Sequence, residues 1–325
     1  TFLIVWFFRF PQLPQKQYTY TAILHDAFHF FEKMSYTLST ISMKSLLSLG
    51  ALIDTSFEHY KKNLPSILGT TLWLLAAAIP SAIGIVLSQD GDAVNVTTWM
   101  SFGFSALGGI IGVLASIHIS VALIASLREQ KEGNITDPRV FLKKAFSLDL
   151  SYVWATILKS IFVGIIPLIP LLISIGAFSF ALRSENGMLV NVLAIVAFVT
   201  ILLALGGALK FSLHYNFVPY ATVLDGKRGM ESLRTSAALV KGRWWPIFWR
   251  VFLPKALYTL IFVVILAGTL WTTGIIGIAL SQGSFFLAKL FALTNFFIST
   301  LITAGLIPIL LLTDYYVYEN LRETK

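Results

Sequence analysis

Six long apolar segments restrict the fold of this chain more than any other feature. Each segment reaches or exceeds the roughly 20 residues that a helix needs to cross a hydrocarbon layer about 30 Å thick. We therefore predict an all-α integral membrane bundle of six transmembrane helices. The predicted spans cover residues 66–88, 98–127, 152–182, 188–220, 250–280 and 285–313.

The composition supports the same class of protein. Charged residues make up 12% of the 325 residues, whereas a soluble domain carries about 25%. Hydrophobic residues make up 56%, and the mean hydropathy is +0.79. So few charges cannot cover the surface of a soluble globule of this size. The absence of cysteine from the sequence excludes disulfides, thiolate metal sites and cysteine nucleophiles.

The connections between spans alternate between those rich in lysine and arginine and those without an excess of them, and this alternation predicts the orientation of the chain in the membrane. The region before the first span and the connections 128–151 and 221–249 are basic, whereas the connection 89–97 and the "SQGS" at 281–284 contain neither residue. Arg183, in the short third connection, is opposed by Glu185. By the positive-inside rule, both termini face the cytoplasm of a multi-pass protein in the cell (inner) membrane. The predicted organisation is a cytoplasmic or interfacial amphipathic region at 1–64, a membrane domain at 65–320 and a tail at 321–325.

The stretch 232–254 combines cations with aromatic rings just before span five. Tryptophan favours the membrane–water boundary, and lysine and arginine extend their charges from apolar surface to water or phosphate. We predict an amphipathic helix that runs into span five and binds anionic headgroups of membrane lipids, each cation contributing about 1 kcal/mol. A soluble protein partner is the alternative, and nucleic acid is not expected. The predicted interfacial anchor consists of Arg234, Lys241, Arg243, Trp244, Trp245, Trp249 and Arg250.

Amphipathic stretches also precede the other two pairs of spans. One begins with Asp137, a predicted N-cap, and Pro138, and another covers residues 45–62. The units 45–128, 138–220 and 229–320 therefore suggest a threefold helix-pair repeat. The alternative is that every helix anchored on the basic side needs a basic amphipathic collar.

Small and polar residues mark one face of two spans. Gly108, Gly112, Ser116 and Ser120 recur at every fourth position of span two, as in a helix-packing seam. A substrate path through the bundle is the alternative. Asn295, Ser299 and Thr303 share a face of span six, where they either pack against other helices or line a polar cavity.

Ionisable residues inside spans are the best functional candidates, because burying them in lipid is costly. They either extend to water or line a pocket for an anionic headgroup or solute. The predicted polar pocket consists of His118, Lys159, Lys210, His214, Asn295 and Asp314. His25, His29 and Glu32 share a predicted helix face but lack a fourth ligand, so neither a metal nor a cofactor is expected.

Residues 221–254 contain the run Gly229, Ser232, Leu233, Ser236, Leu239, Val240, Lys241, Gly242 and Trp245. This run resembles an element of bacterial polytopic membrane proteins that are similar to the membrane domain of some glycerophosphoryl diester phosphodiesterases. The resemblance implies a six-helix inner-membrane bundle. It does not imply phosphodiesterase activity, because no motif of that catalytic domain occurs in these residues. We read Gly242 as a C-cap that turns the chain before Trp244.

The leading functional hypothesis is a non-enzymatic membrane module that organises, binds or moves lipids or small amphiphiles. Its motivation is the combination of polar stripes, cations near the basic side and amphipathic collars. A secondary transporter of a small anion or drug is the alternative. An intramembrane enzyme is a second alternative, although the sequence shows no cluster of acid and base groups that would favour it.

Overall fold

The computed structural model describes residues 46–88, 96–133, 137–183, 187–281 and 284–324. Predictions for residues 1–45, including the His25 and His29 face, lie outside these ranges. Leu47–Glu323 form one compact unit. Within the described ranges the chain forms helices and no strand, and six helical segments are long and apolar enough to cross a membrane. The prediction of an all-α bundle with six spans is confirmed.

The described residues form twelve α-helices and one π turn. The helices are α1 Leu49–Lys62, α2 Leu64–Thr71, α3 Trp73–Ala77, α4 Ile79–Leu87, α5 Val96–Lys131, α6 Pro138–Ser160, the π turn Ile161–Ile165, α7 Ile166–Arg183, α8 Gly187–His214, α9 Val218–Val223, α10 Met230–Val240, α11 Trp244–Ser281 and α12 Phe285–Glu323. Span one consists of α2, α3 and α4, span three joins α6, the π turn and α7, and span four joins α8 and α9. Spans two, five and six are the single helices α5, α11 and α12.

Span three is longer than its predicted range. Asp137 caps α6 as predicted, because its side chain accepts a hydrogen bond from the Arg139 backbone N–H. The helix then continues through the π turn into α7, so the amphipathic stretch 138–151 is one end of the span itself. Pro167 and Pro170 lack the N–H groups that a regular helix needs, and the π turn directly before them accommodates that loss.

Two predicted helices are interrupted. Span four breaks after His214, and α9 restarts at Val218 with Pro219 in its first turn, where the missing proline N–H has no helical partner to bond. The stretch 232–254 is not one helix: α10 ends at Val240, and α11 begins at Trp244. Gly242 has φ of +79°, the left-handed conformation expected of the residue that turns the chain there.

The spans divide into a central and a peripheral group. In the most apolar windows of spans one, two and six, 28–44% of the residues are buried, but only 6% in spans three, four and five. The last helix, α12, packs against α11, α1 and all helices of the first hairpin. The second hairpin, α7 and α8, packs mainly on itself and is joined to the bundle through α6. Spans three, four and five therefore offer most of their apolar side chains to lipid.

The buried core lies at one end of the bundle. We call this end the basic end, because the connections 128–151 and 221–249 emerge there. Buried side chains from α5, α9, α10 and α12 meet in it, and Phe217, Tyr220, Tyr315 and Tyr318 are the largest of those that are almost fully buried. The basic end thus has a core of side chains buried within the protein, whereas most apolar side chains toward the opposite end are exposed on the bundle surface.

Helix α1 is fastened to the central spans by hydrogen bonds. Buried His59 donates from Nε2 to the Gln130 Oε1 of α5 at 3.1 Å, and its Nδ1 accepts from the Tyr316 hydroxyl of α12 at 2.8 Å. Tyr60 donates to the Gly305 carbonyl at 3.2 Å. Burial lowers the pKa of His59, with Lys62 adding to the effect, while the hydrogen bond to Gln130 opposes it. The neutral imidazole is therefore the form that fits this position.

The three predicted repeat units, 45–128, 138–220 and 229–320, differ in how their helices are connected. Three hairpins are present, formed by α4 with α5, α7 with α8, and α11 with α12. The helices before them differ, since α1 meets span one at Asn63, α6 is continuous with span three, and α10 is separated from α11 by Gly242. The threefold pattern thus extends to the hairpins but not to the way in which the amphipathic helices join them.

Candidate functional site

An ion-paired cluster joins three spans near the basic end. The Lys255 Nζ of α11 lies 2.6 Å from Asp314 Oδ2 of α12. Asp314 is buried, and 28% of the Lys255 side chain is exposed. Half-buried Lys159 of α6 interacts electrostatically with both residues. We call these three residues the lysine cluster, and with both lysines protonated its net charge is +1.

The surroundings of the lysine cluster are polar on the protein side. Buried Tyr220 donates its hydroxyl to the Leu311 carbonyl at 2.7 Å and interacts electrostatically with Asp314 and with buried Tyr152. Asp314 Oδ1 is buried and accepts no hydrogen bond from the residues that the structure describes. The carboxylate is therefore held by Lys255 and retains capacity for a further donor.

Helix lengths indicate how deep the lysine cluster lies. Lys159 lies 24 positions before Arg183, Lys255 lies 26 before Ser281, and Asp314 lies 29 after Phe285. At 1.5 Å per residue these separations are about 36, 39 and 44 Å from the far ends of the spans. They exceed the roughly 30 Å thickness of a hydrocarbon layer, so a bundle whose far ends lie at the opposite boundary holds the cluster near the headgroups on the basic side.

A cleft between α8 and α11 leads to the lysine cluster. Its volume is about 370 Å³, and its walls are mainly apolar. Leu209 and Phe252 line it and are 55% and 49% exposed, so the cleft opens sideways toward lipid. Lys255 is the member of the cluster that lines it. The remaining lining residues are Ser212, Leu213, Asn216, Phe248, Val251, Ala256 and Thr259.

Asn216 adds a polar group to this cleft from the break in span four. Its Nδ2 is buried and donates no hydrogen bond to any group in the described part of the chain. The break is held by buried Ser236 of α10, which donates to the His214 carbonyl at 2.6 Å and accepts from the Phe217 N–H at 3.2 Å. The cleft therefore presents the Lys255 ammonium, which binds anionic oxygen, and Asn216 lines it with an amide whose buried N–H groups have no partner among the described residues.

The run that carries the family resemblance builds this break. Ser232 and Ser236 are fully buried, and Leu233 packs with Ala155 and Val218 in the core. Gly229 has φ of +50°, and a Cβ there would lie 3.3 Å from the Trp154 Nε1. These side chains contact protein rather than the cleft, so their role in the structure is to dock α10 under span four.

The predicted interfacial anchor separates into two groups. Trp245 and Trp249 are 62% and 45% exposed, and Arg234 and Lys241 are also exposed. Arg250 instead donates from Nε to the Leu47 carbonyl at 2.8 Å, which ties α11 to the start of α1. Arg243 and Trp244 are half-buried. Four members of the predicted anchor are therefore exposed, and Arg250 serves helix packing.

An aromatic row connects this anchor with the cleft. Trp244 and Phe248 stack with ring centroids 5.2 Å apart, and Phe248 and Phe252 stack at 5.3 Å. Phe248 and Phe252 also line the cleft. One continuous aromatic surface therefore runs from the start of α11 to the mouth of the cleft.

The predicted polar pocket does not form as one group. Of its six residues, Lys159 and Asp314 come together. The His118 Nδ1 lies 2.7 Å from Asp149 Oδ2, and Asn295 accepts a hydrogen bond from Thr273. Lys210 is exposed, and its carbonyl accepts from the His214 Nδ1 at 2.8 Å. His118 and Asn295 pair with side chains of other helices, whereas His214 bonds within its own helix and Lys210 is exposed.

Two partners that complete the ionic groups were missed in the sequence. Lys255 pairs with Asp314, and Asp149 pairs with His118. Lys255 lies within the predicted span 250–280, so the cost of burying an ammonium there was a signal that could have identified it. Asp149 lay outside the predicted span three, so nothing in the sequence indicated that it would meet His118.

The glycine–serine stripe of span two is only partly a packing seam. Gly108 makes the close approach, since a Cβ there would lie 2.4 Å from the Ser81 backbone nitrogen. Gly108, Gly112 and Ser116 also line a cavity of about 260 Å³ together with Ser299 and Thr303 of span six. Ser120 donates to the Ser116 carbonyl at 2.7 Å. This face of span two therefore combines one close helix contact with a cavity that carries several hydroxyl groups.

Comparisons with family models, curated proteins and solved structures find no match for this chain. The resemblance to the membrane domain of glycerophosphoryl diester phosphodiesterases therefore stays a prediction. Among the described residues, no group of three histidine or carboxylate side chains is placed to hold a metal ion. The chain is a polytopic membrane protein whose most distinctive site is the lysine cluster with its lateral cleft.

Proposed function

We propose that this protein is a non-enzymatic membrane module that binds lipids with anionic headgroups in the cleft between α8 and α11. One observation carries the proposal: the ammonium of Lys255, part of a cluster with an excess positive charge, lines an apolar cleft that opens sideways near the basic end. A lipid phosphate at the lysine cluster leaves its acyl chains beside the apolar walls. This combination suits an amphiphile better than a soluble anion.

The aromatic row supports the same function. Trp244, Phe248 and Phe252 extend the cleft toward the interface, where aromatic rings bind the boundary between headgroups and chains. The exposed Trp245, Arg234 and Lys241 hold this end of α11 near the surface. We further propose that the basic end faces the cytoplasm of the cell membrane, in agreement with the positive-inside rule.

A variant without the Lys255–Asp314 ion pair tests the lipid site. Changing Lys255 alone would leave the Asp314 carboxylate buried without its partner, which costs about 3–5 kcal/mol. The double variant Lys255→Met with Asp314→Asn removes both charges and keeps the side-chain shapes. Native mass spectrometry from a mild detergent should show retained anionic lipid on the wild type and a loss of about tenfold or more in the double variant.

Lys210→Ala is the matched control, because this exposed lysine of α8 does not line the cleft. It should retain lipid as the wild type does. Equal retention by the wild type and the double variant, or no retained lipid on either, would refute the proposed site.

A secondary transporter is the second candidate, and the cavity between spans one, two and six favours it. Ser116, Ser299 and Thr303 donate their hydroxyl protons to carbonyls of their own helices, so their oxygen lone pairs face the cavity as acceptors. A solute with donor groups would fit such a lining. Because the sequence contains no cysteine, Thr303→Cys can be labelled selectively. Labelling by a water-soluble maleimide supports a water-filled path, and complete protection excludes one at this position.

A further inference from the structure

The charge of the lysine cluster distinguishes between classes of lipid headgroup. Lys159 and Lys255 supply two positive charges and Asp314 one negative charge, and all three residues come from different spans. Asp314 is buried, and Lys159 and Lys255 are half-buried, so solvent screens their charges only partly. A net charge in such surroundings is costly until a counter-charge neutralises it.

We propose that the cleft selects headgroups with a single net negative charge, which are phosphodiester lipids without an amine. Such a headgroup brings the charge of the lysine cluster from +1 to zero. A zwitterionic headgroup leaves the excess positive charge unbalanced. A phosphomonoester, with a charge of about −1.5 to −2, exceeds the cluster and leaves negative charge in the site. This inference rests on the lipid-binding function proposed above and specifies its ligand.

The hydrogen-bonding groups agree with a phosphodiester. Lys255 and Asn216 line the cleft from α11 and from the break in span four, and the buried Asn216 Nδ2 has no hydrogen-bond partner among the described residues. A phosphodiester has two non-bridging oxygens that accept hydrogen bonds, one from Lys255 and one from Asn216 once its amide turns toward the cleft. The apolar surface of Leu209, Val251 and Phe252 then lies beside the glycerol and the first methylene groups. A free phosphate would leave this apolar surface exposed, so we assign the ligand to a lipid.

Changing the charge of the cluster should change the selectivity. Lys159→Met gives a net charge of zero without breaking the pair of Lys255 with Asp314. Asp314→Asn gives a net charge of +2 and keeps the shape of the buried side chain. The three proteins are reconstituted in nanodiscs with equal amounts of phosphatidylglycerol, phosphatidylethanolamine and phosphatidic acid, and the lipids retained after mild detergent extraction are measured by native mass spectrometry.

The wild type should retain mainly phosphatidylglycerol. In Lys159→Met the ratio of phosphatidylglycerol to phosphatidylethanolamine should fall about tenfold, and in Asp314→Asn phosphatidic acid should gain about tenfold. Lys210→Ala should keep the wild-type ratios. Lipid ratios that are the same in all four proteins would overturn the charge-matching rule while leaving lipid binding itself intact.

Three further outcomes of the lipid-retention experiment also bear on the charge-matching rule. Absence of lipid from the wild type would overturn both the proposed function and this inference. Displacement of the bound lipid by soluble glycerol phosphate or inorganic phosphate would show that the site takes a free anion. If Asp314→Asn does not fold, the shift in Lys159→Met decides the question alone, because that variant keeps the ion pair.

Discussion

Ser236→Ala should destabilise the protein far more than the loss of one surface hydroxyl. Ser236 is fully buried on α10, and it accepts from the Phe217 N–H and donates to the His214 carbonyl. Both partners belong to the break in span four, where a regular helix supplies no bonds. Alanine leaves the buried Phe217 N–H without its acceptor, which costs about 1–3 kcal/mol. We expect a loss of about 2 kcal/mol, or about 30-fold in the unfolding equilibrium.

Ser232→Ala is the matched control for this prediction. Ser232 is equally buried on the same helix, but its hydroxyl donates only to the Gly229 carbonyl three residues before it, at 2.7 Å. This bond joins no second helix, so its loss should cost less than about 1 kcal/mol. Unfolding by sodium dodecyl sulfate in mixed micelles, followed by tryptophan fluorescence, compares both variants with the wild type.

The comparison also has a functional arm. Because Asn216 lies in the break that Ser236 holds, Ser236→Ala should weaken lipid retention in the cleft, whereas Ser232→Ala should not. Equal destabilisation by the two variants would refute the reasoning, since it would show that burial rather than the bridge to span four determines the cost.

Three further predictions concern other parts of the bundle. Gly108→Val should cost about 1–3 kcal/mol through overlap with the neighbouring backbone, whereas Gly109→Ala, with no atom within 4 Å of its added methyl group, should be neutral in the same unfolding assay. Because its folded-state pKa lies below 6.5, His59 binds more protons in the unfolded state, so thermal stability should fall as the pH drops below 6.5 and level off beneath the lowered pKa; His59→Gln should flatten this profile. Lys289→Met should lower stability by about 1 kcal/mol, because the ammonium donates to the Val86 and Ser88 carbonyls at the end of α4.

The number of spans followed from the sequence because span length is imposed by the bilayer rather than by tertiary contacts. Twenty or more apolar residues in succession satisfy the one requirement that lipid makes of a helix. The breaks within the spans were harder to predict. The gap between His214 and Val218 depends on Ser236, which belongs to another helix and lies 19 and 22 positions from its partners Phe217 and His214.

The candidate site was only partly predictable for a related reason. Burial cost marked Lys159 and Asp314 as unusual, but it did not show which residues neutralise them. Lys255 meets Asp314 because α11 and α12 form a hairpin with this particular register. His118 and Lys210 are likewise ionisable residues within predicted spans, yet His118 pairs with Asp149 and Lys210 is exposed.

The π turn Ile161–Ile165 marks a mechanical boundary in the molecule. On one side α6 is fixed to the dense core, and on the other α7 and α8 are supported mainly by the surrounding acyl chains. By hydrophobic mismatch, a thinner bilayer should increase the tilt of α7 and α8, and we expect the π turn to absorb that rotation. Since α8 forms one wall of the cleft, the width of the cleft should follow membrane thickness, which makes the bilayer itself a regulator of the affinity for its own lipids.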